Sequence, residues 1–138
     1  MKFISRSIED TQTLAAAVAG QLKGGEVILL SGRLGAGKTA FTKCLAKSLG
    51  VKDTVTSPTF TFMKSYKGRL NLYHFDMYRA GDEDELYELG LEEYLYAGGV
   101  CVIEWNKFSC VSNPITIDIQ VGDEGERIIS IAGMDLPL

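Results

Sequence analysis

Eight consecutive residues in this chain have the types and spacing that hold a phosphate group: Gly32-Arg33-Leu34-Gly35-Ala36-Gly37-Lys38-Thr39. They spell GxxxxGKT, the phosphate-binding P-loop. Glycines let the backbone turn with positive φ and bring successive N–H groups up to phosphate oxygens, an approach that a Cβ obstructs. Lys38 supplies a positive charge for the β and γ phosphates, and Thr39 offers a hydroxyl to Mg2+. The helix opened by Lys38 points its positive dipole end at the same phosphates. The ligand that satisfies all of these groups is a nucleoside triphosphate with its metal.

A second set of candidates lies further along. Val100-Cys101-Val102-Ile103 is apolar and ends in Glu104, which is the Walker B pattern with Glu where Asp is usual. A carboxylate there holds Mg2+ directly or through water. Trp105 follows, either as a core residue or as a ring that stacks on a base or a partner. In His74-Phe75-Asp76-Met77-Tyr78-Arg79, Asp76 is the candidate for orienting the attacking water or supporting the metal shell, with a turn carboxylate as the plain alternative. Arg79 either neutralises charge on the transferred phosphoryl group, worth about 10³–10⁵ in rate for a well-placed arginine, or pairs with the acidic residues beside it. His74 is read as a hydrogen-bonded core histidine. The catalytic candidates are therefore Lys38, Asp76, Arg79 and Glu104, and the metal candidates Thr39 and Glu104.

These groups need a scaffold, and the hydrophobic pattern supplies one. Residues 26–31 are an apolar strand running into the loop, and residues 38–49 read as a helix with Phe41, Leu45, Ala46 and Leu49 on one face and Gly50 as its stop. Before them, residues 2–6 are a short strand. Ser7 and Asp10 are an approximate capping box for a helix over 8–22 that carries Leu14, Val18 and Leu22 on one stripe. After the P-loop helix, Pro58 keeps residues 56–60 out of helix. Residues 59–66 and 70–78 read as the strands of an inserted β-hairpin turned at Lys67-Gly68-Arg69. Residues 81–93 are acidic and helical, broken near Gly90; such a face is solvated or a partner surface. Residues 100–103 are a second buried central strand. Ile115, Ile117, Ile119 and Val121 share a face in a last hairpin that extends the sheet antiparallel. The expected fold is α/β: a P-loop NTPase-like mixed sheet flanked by helices, in one domain over residues 1–138.

Composition narrows the partners. The chain carries 14 Lys and Arg against 18 Asp and Glu, a net charge of -4, and no basic stripe is visible, which disfavours direct binding of nucleic acid. The three cysteines lack metal-ligand spacing and read as reduced thiols. No signal peptide and no membrane-spanning run is recognisable, so the expected location is cytoplasmic, with no membrane partner.

Five ordered motifs then acquire a common meaning. Gly35-Ala36-Gly37-Lys38-Thr39, Ser57-Pro58-Thr59-Phe60, His74 to Arg79, Leu89-Gly90-Leu91-Glu92-Glu93-Tyr94 and Ile103-Glu104-Trp105 resemble, in order and spacing, the TsaE (YjeE) family of small bacterial P-loop ATPases. The resemblance covers about residues 7–105. It implies a part in forming threonylcarbamoyladenosine in tRNA, with ATP and Mg2+ as cofactors and the TsaD and TsaB proteins as partners; tRNA is reached only through that complex. By residue match, Leu34, Gly35, Ala36, Gly37, Lys38 and Thr39 wrap the phosphates, Thr39 and Glu104 contact Mg2+, and Thr11 lies near the adenine. Residues 57–60 become a switch-like loop, and Asp76 is needed for hydrolysis. Asn106 departs from the family, which commonly has Pro after Glu-Trp.

Three rivals share the P-loop. A small-molecule kinase needs a substrate cavity and a lid, for which the chain has no spare segment. A GTPase reading draws on Asn106-Lys107-Phe108-Ser109, but Ser109 stands where NKxD has the carboxylate that pairs with guanine. A nucleotide-dependent binding module with almost no turnover merges with the family reading, since a weak ATPase driven by its partner is a switch.

Overall fold

The structure, a computed structural model, describes residues 1–138. Its sheet grows outward from two apolar strands, β2 (Val27–Gly32) and β5 (Val100–Glu104), paired in parallel with Leu30 opposite Glu104. β4 (Leu72–Asp76) lies parallel on the far side of β5, with Asp76 opposite Glu104, and β3 (Met63–Tyr66) returns antiparallel to β4. On the other side, β6 (Ile115–Val121) runs parallel to β2 and β7 (Arg127–Ala132) turns back antiparallel. β1 (Lys2–Ser5) closes that edge against β7. The order is β1-β7-β6-β2-β5-β4-β3.

Strand side chains alternate between faces, so each inner strand feeds two cores. On one face α1 (Ile8–Gln21) and α2 (Lys38–Ser48) bring Leu14, Val18, Phe41 and Leu45 onto Ile28, Leu30, Val102, Ile117 and Ile119. On the other, α3 (Glu83–Glu88) and a 3-10 helix (Leu91–Tyr96) bring Leu86, Leu91 and Leu95 onto Phe75, Cys101 and Ile103. The expected stripes of α1 and α2 are thus the buried ones. Ser7 caps α1 by accepting from Asp10 N, and Asp10 answers by accepting from Arg6 N. All three cysteines are free; burial pushes the Cys101 thiol up to about 12 and raises that of Cys44. No helix is long and apolar enough to cross a membrane.

The structure departs from the sequence reading in three places. The last hairpin is internally antiparallel as expected, yet it joins the sheet through β6 lying parallel to β2. Pattern alone does not set this direction, because Ile115, Ile117 and Ile119 bury the same face either way. Val121, assigned to that face, is half exposed at the strand end. The inserted hairpin is shorter than expected: residues 59–62 form a turn in which Thr61 N donates to Pro58 O and Phe62 takes φ +63°.

Candidate functional site

The ends of β2, β4 and β5 converge, and the loop after β2 arches over them. Two glycines make the arch possible. Gly32 has φ +149°, and a Cβ there would stand 2.6 Å from the Ile119 carbonyl oxygen; Gly37 has φ +112° at the start of α2. Ala36 N donates to Arg33 O at 3.0 Å and tightens the turn, while Leu34 at its tip is fully exposed. Thr39 is exposed in the first turn of α2.

Lys38 is the loop's charged residue and it is buried. Its Nζ lies 3.6 Å from Glu104 Oε1 and 5.0 Å from the centre of the Trp105 ring. Glu104, also buried, has its other oxygen 2.7 Å from His74 Nε2. Charges this far from water persist only when paired, and here the Lys38 cation and the His74 Nε2 both face the Glu104 carboxylate. Asp76 sits beside Glu104 in the sheet, its Oδ1 accepting from Tyr78 N at 3.0 Å. So the carboxylate closes a turn, as the plain alternative holds, and also stands next to the Lys38–Glu104 pair. Arg79 makes no ion pair with the acidic segment; its guanidinium lies over the Phe60 ring at 4.6 Å. Trp105 is half exposed, adopts φ +56°, and meets Tyr78 edge-on at 5.1 Å, so it is not a core residue. His74 is fully buried and hydrogen-bonded, as the sequence reading expected.

Two of the cavities that border the arch take in Thr11 and Trp105. One of about 560 Å³ is lined by Gly32, Leu34, Ala36, Trp105, Asp118 and Val121, among others. The other, of about 260 Å³, is lined by Arg6, Thr11, Gly37, Ala40, Gly125 and Arg127, among others. Thr11 and Trp105 line different cavities. Arg127 is a residue the sequence reading passed over. Its Nε comes within 3.4 Å of a Cβ built on Gly37, and only the folding back of β7 brings it there; nothing in its local sequence signals that approach.

The family profile described as "Threonylcarbamoyl adenosine biosynthesis protein TsaE" matches residues 5–129. The chain belongs to the TsaE family. It is 42% identical over 135 residues to the Treponema pallidum tRNA threonylcarbamoyladenosine biosynthesis protein TsaE, covering 96% of this chain and all of that one. It is 48% identical over 106 residues to the Bacillus subtilis protein of the same name, covering 76% of this chain and 66% of that one. The crystal structure of Bacillus subtilis YdiB superposes with a TM-score of 0.80 at 37% identity, over 95% of this chain and 83% of that one. TsaE-family membership gives the site its context: a nucleotide-binding P-loop protein of tRNA threonylcarbamoyladenosine biosynthesis, a pathway that implies partner proteins.

The structure accounts for the residues that follow Trp105 in this TsaE-family chain. Asn106 bonds both ways to the Phe108 backbone, its Nδ2 donating to the oxygen and its Oδ1 accepting from N–H. Phe108 is buried in the second core, and Lys107 Nζ donates to the Ala80 carbonyl. Asn106 and Lys107 therefore build a turn, and the resemblance to a guanine-reading motif is explained by packing.

Trp105 is the only tryptophan in the TsaE-family chain, and its ring rests on the lysine that a phosphate would draw away. Addition of ATP is expected to change the tryptophan emission saturably. A flat emission at ATP concentrations that calorimetry shows to be saturating would place Trp105 outside the site.

Proposed function

We propose that this chain binds ATP with Mg2+, hydrolyses it slowly by itself, and acts as a nucleotide switch on the TsaD–TsaB pair in threonylcarbamoyladenosine formation. The observation that carries the reading is the buried Lys38–Glu104 pair under the P-loop arch, with Asp76 beside it. In this reading residues 34–39 wrap the phosphates and Lys38 neutralises them. Thr11 borders the base, from the cavity that adjoins Gly37 and Ala40. Asp76 orients the attacking water and Arg79 approaches the transferred phosphoryl group. Trp105 covers the Lys38 side.

The donor set fits Mg2+. That ion keeps several waters and takes only one or two protein oxygens beside the phosphates, and the exposed Thr39 hydroxyl and Glu104 Oε1 are such oxygens. When bound, the metal would neutralise charge on the phosphate oxygens. The residues of the chain do the rest: they grip the phosphates, hold the carboxylates in place and exclude water from Lys38.

The switch reading draws on where the groups sit. Asp76 ends a strand of the inserted hairpin half, Arg79 lies beyond it, and Phe60, on which Arg79 rests, is largely exposed. Groups on such segments are completed by docking more readily than groups on central strands. The expected result is slow hydrolysis alone, faster hydrolysis with TsaB and TsaD, and tighter association with that pair in the presence of ATP and Mg2+. Linkage makes the last effect reciprocal, so the partners must raise ATP affinity by the same factor. Pull-down and calorimetry with purified partners check this. Turnover and affinity both unmoved by saturating partners would sink the switch. A small-molecule kinase is then the better reading, and the cavity of about 560 Å³ beside the arch is the observation in its favour.

A further inference from the structure

One buried group is unused by the reading above. His74 lies on β4 two residues before Asp76 and so on the same face, since strand side chains alternate, and the parallel register sets Asp76 opposite Glu104. The imidazole is fully buried. Its Nε2 is 2.7 Å from Glu104 Oε2, and its Nδ1 is buried without any hydrogen-bonding partner. That asymmetry selects a tautomer. A proton on Nε2 is donated to the carboxylate; a proton on Nδ1 would be a buried donor with no acceptor and would turn the Nε2 lone pair against Glu104 Oε2.

The consequence falls on Glu104. One of its oxygens is committed to the histidine, so the other, Oε1, is held towards Lys38 at 3.6 Å, under the P-loop. We propose that His74 is a positioning residue whose Nε2–H fixes the Glu104 carboxylate with Oε1 facing the Mg2+ site. The inference rests on the reading of Glu104 as the acid on the Mg2+ path. Its precedent is physical: a metal-side carboxylate is itself hydrogen-bonded, and removing such an outer partner typically costs about 10–100-fold in metal affinity or activity. A histidine that merely filled the core would act through volume instead, and leucine fills a similar volume.

The test measures ATP affinity with and without Mg2+ by calorimetry, alongside Tm, for His74→Leu, His74→Gln and Glu104→Gln. His74→Leu is expected to cut the Mg2+-dependent gain in affinity by about tenfold while metal-free affinity stays within about twofold. His74→Gln, whose amide nitrogen reaches the position of Nε2, is expected to recover most of the gain. In the Glu104→Gln background His74→Leu should add little, because the two residues act through one carboxylate. Should His74→Leu fail to fold, His74→Asn replaces it, its amide stopping near the Nδ1 position. If Glu104→Gln itself keeps the Mg2+-dependent gain, the reading of Glu104 fails and this inference with it. If Glu104→Gln loses the gain while His74→Leu keeps it, or if Leu, Asn and Gln behave alike, the inference alone is overturned.

Discussion

Lys38→Ala is expected to weaken ATP binding by about two orders of magnitude or more while leaving the protein folded. The ammonium faces the β and γ phosphates in the proposed complex, and charge-assisted hydrogen bonds contribute about 1.5–3 kcal/mol each. At about 1.4 kcal/mol per tenfold in affinity, two such contacts account for the loss. The arch itself survives, because its shape depends on the positive φ of Gly32 and Gly37 and on the Ala36 to Arg33 hydrogen bond. Alanine is also the best helix former for the first turn of α2. Glu104 loses its cation but keeps His74 as a donor. Calorimetry with ATP, with Tm as the control for folding, decides the matter, and unchanged affinity would remove the P-loop from the proposed function.

Asp76→Asn separates catalysis from binding. The amide oxygen can still accept from Tyr78 N, so the turn after β4 is preserved and only the charge and the basic oxygen are lost. A positioned general base contributes about 10²–10⁴-fold, so partner-stimulated ATP hydrolysis is expected to fall by about 100-fold or more, while ATP affinity falls far less. The measurement is single-turnover hydrolysis with saturating TsaB and TsaD. Hydrolysis at the parent rate would make Asp76 a turn carboxylate and nothing more.

The acidic segment illustrates how a single composition serves several structural ends. Asp82 caps α3 by accepting from Glu85 N, and Glu83 accepts from both Ser109 N and Ser109 Oγ, contacts that hold its carboxyl below the usual range. Glu83 thereby ties α3 to the loop after Trp105. Glu85 accepts from Gly81 N, and Asp84, Glu88 and Glu93 face solvent.

What the sequence determined by itself was the chemistry that is local in the chain. GxxxxGKT is contiguous because phosphate recognition uses successive backbone N–H groups. The apolar run ending in Glu104 is legible because a strand buried on both faces has no polar positions to confuse it. The stripes of α1 and α2 and the break at Gly90, which takes φ +72°, are local for the same reason. Tertiary structure decided everything that depends on register and strand direction. The pairing of Asp76 with Glu104 and of β6 with β2 sets two carboxylates side by side and folds Arg127 against Gly37. Thr11 and Trp105 line different cavities beside the arch. Most specifically, His74 reads in sequence as a hydrogen-bonded core histidine, and only the structure shows that its partner is Glu104. A hydrogen bond between residues thirty positions apart leaves no periodic trace, because hydrophobic patterning reports which face a side chain occupies and not which polar atom it meets there.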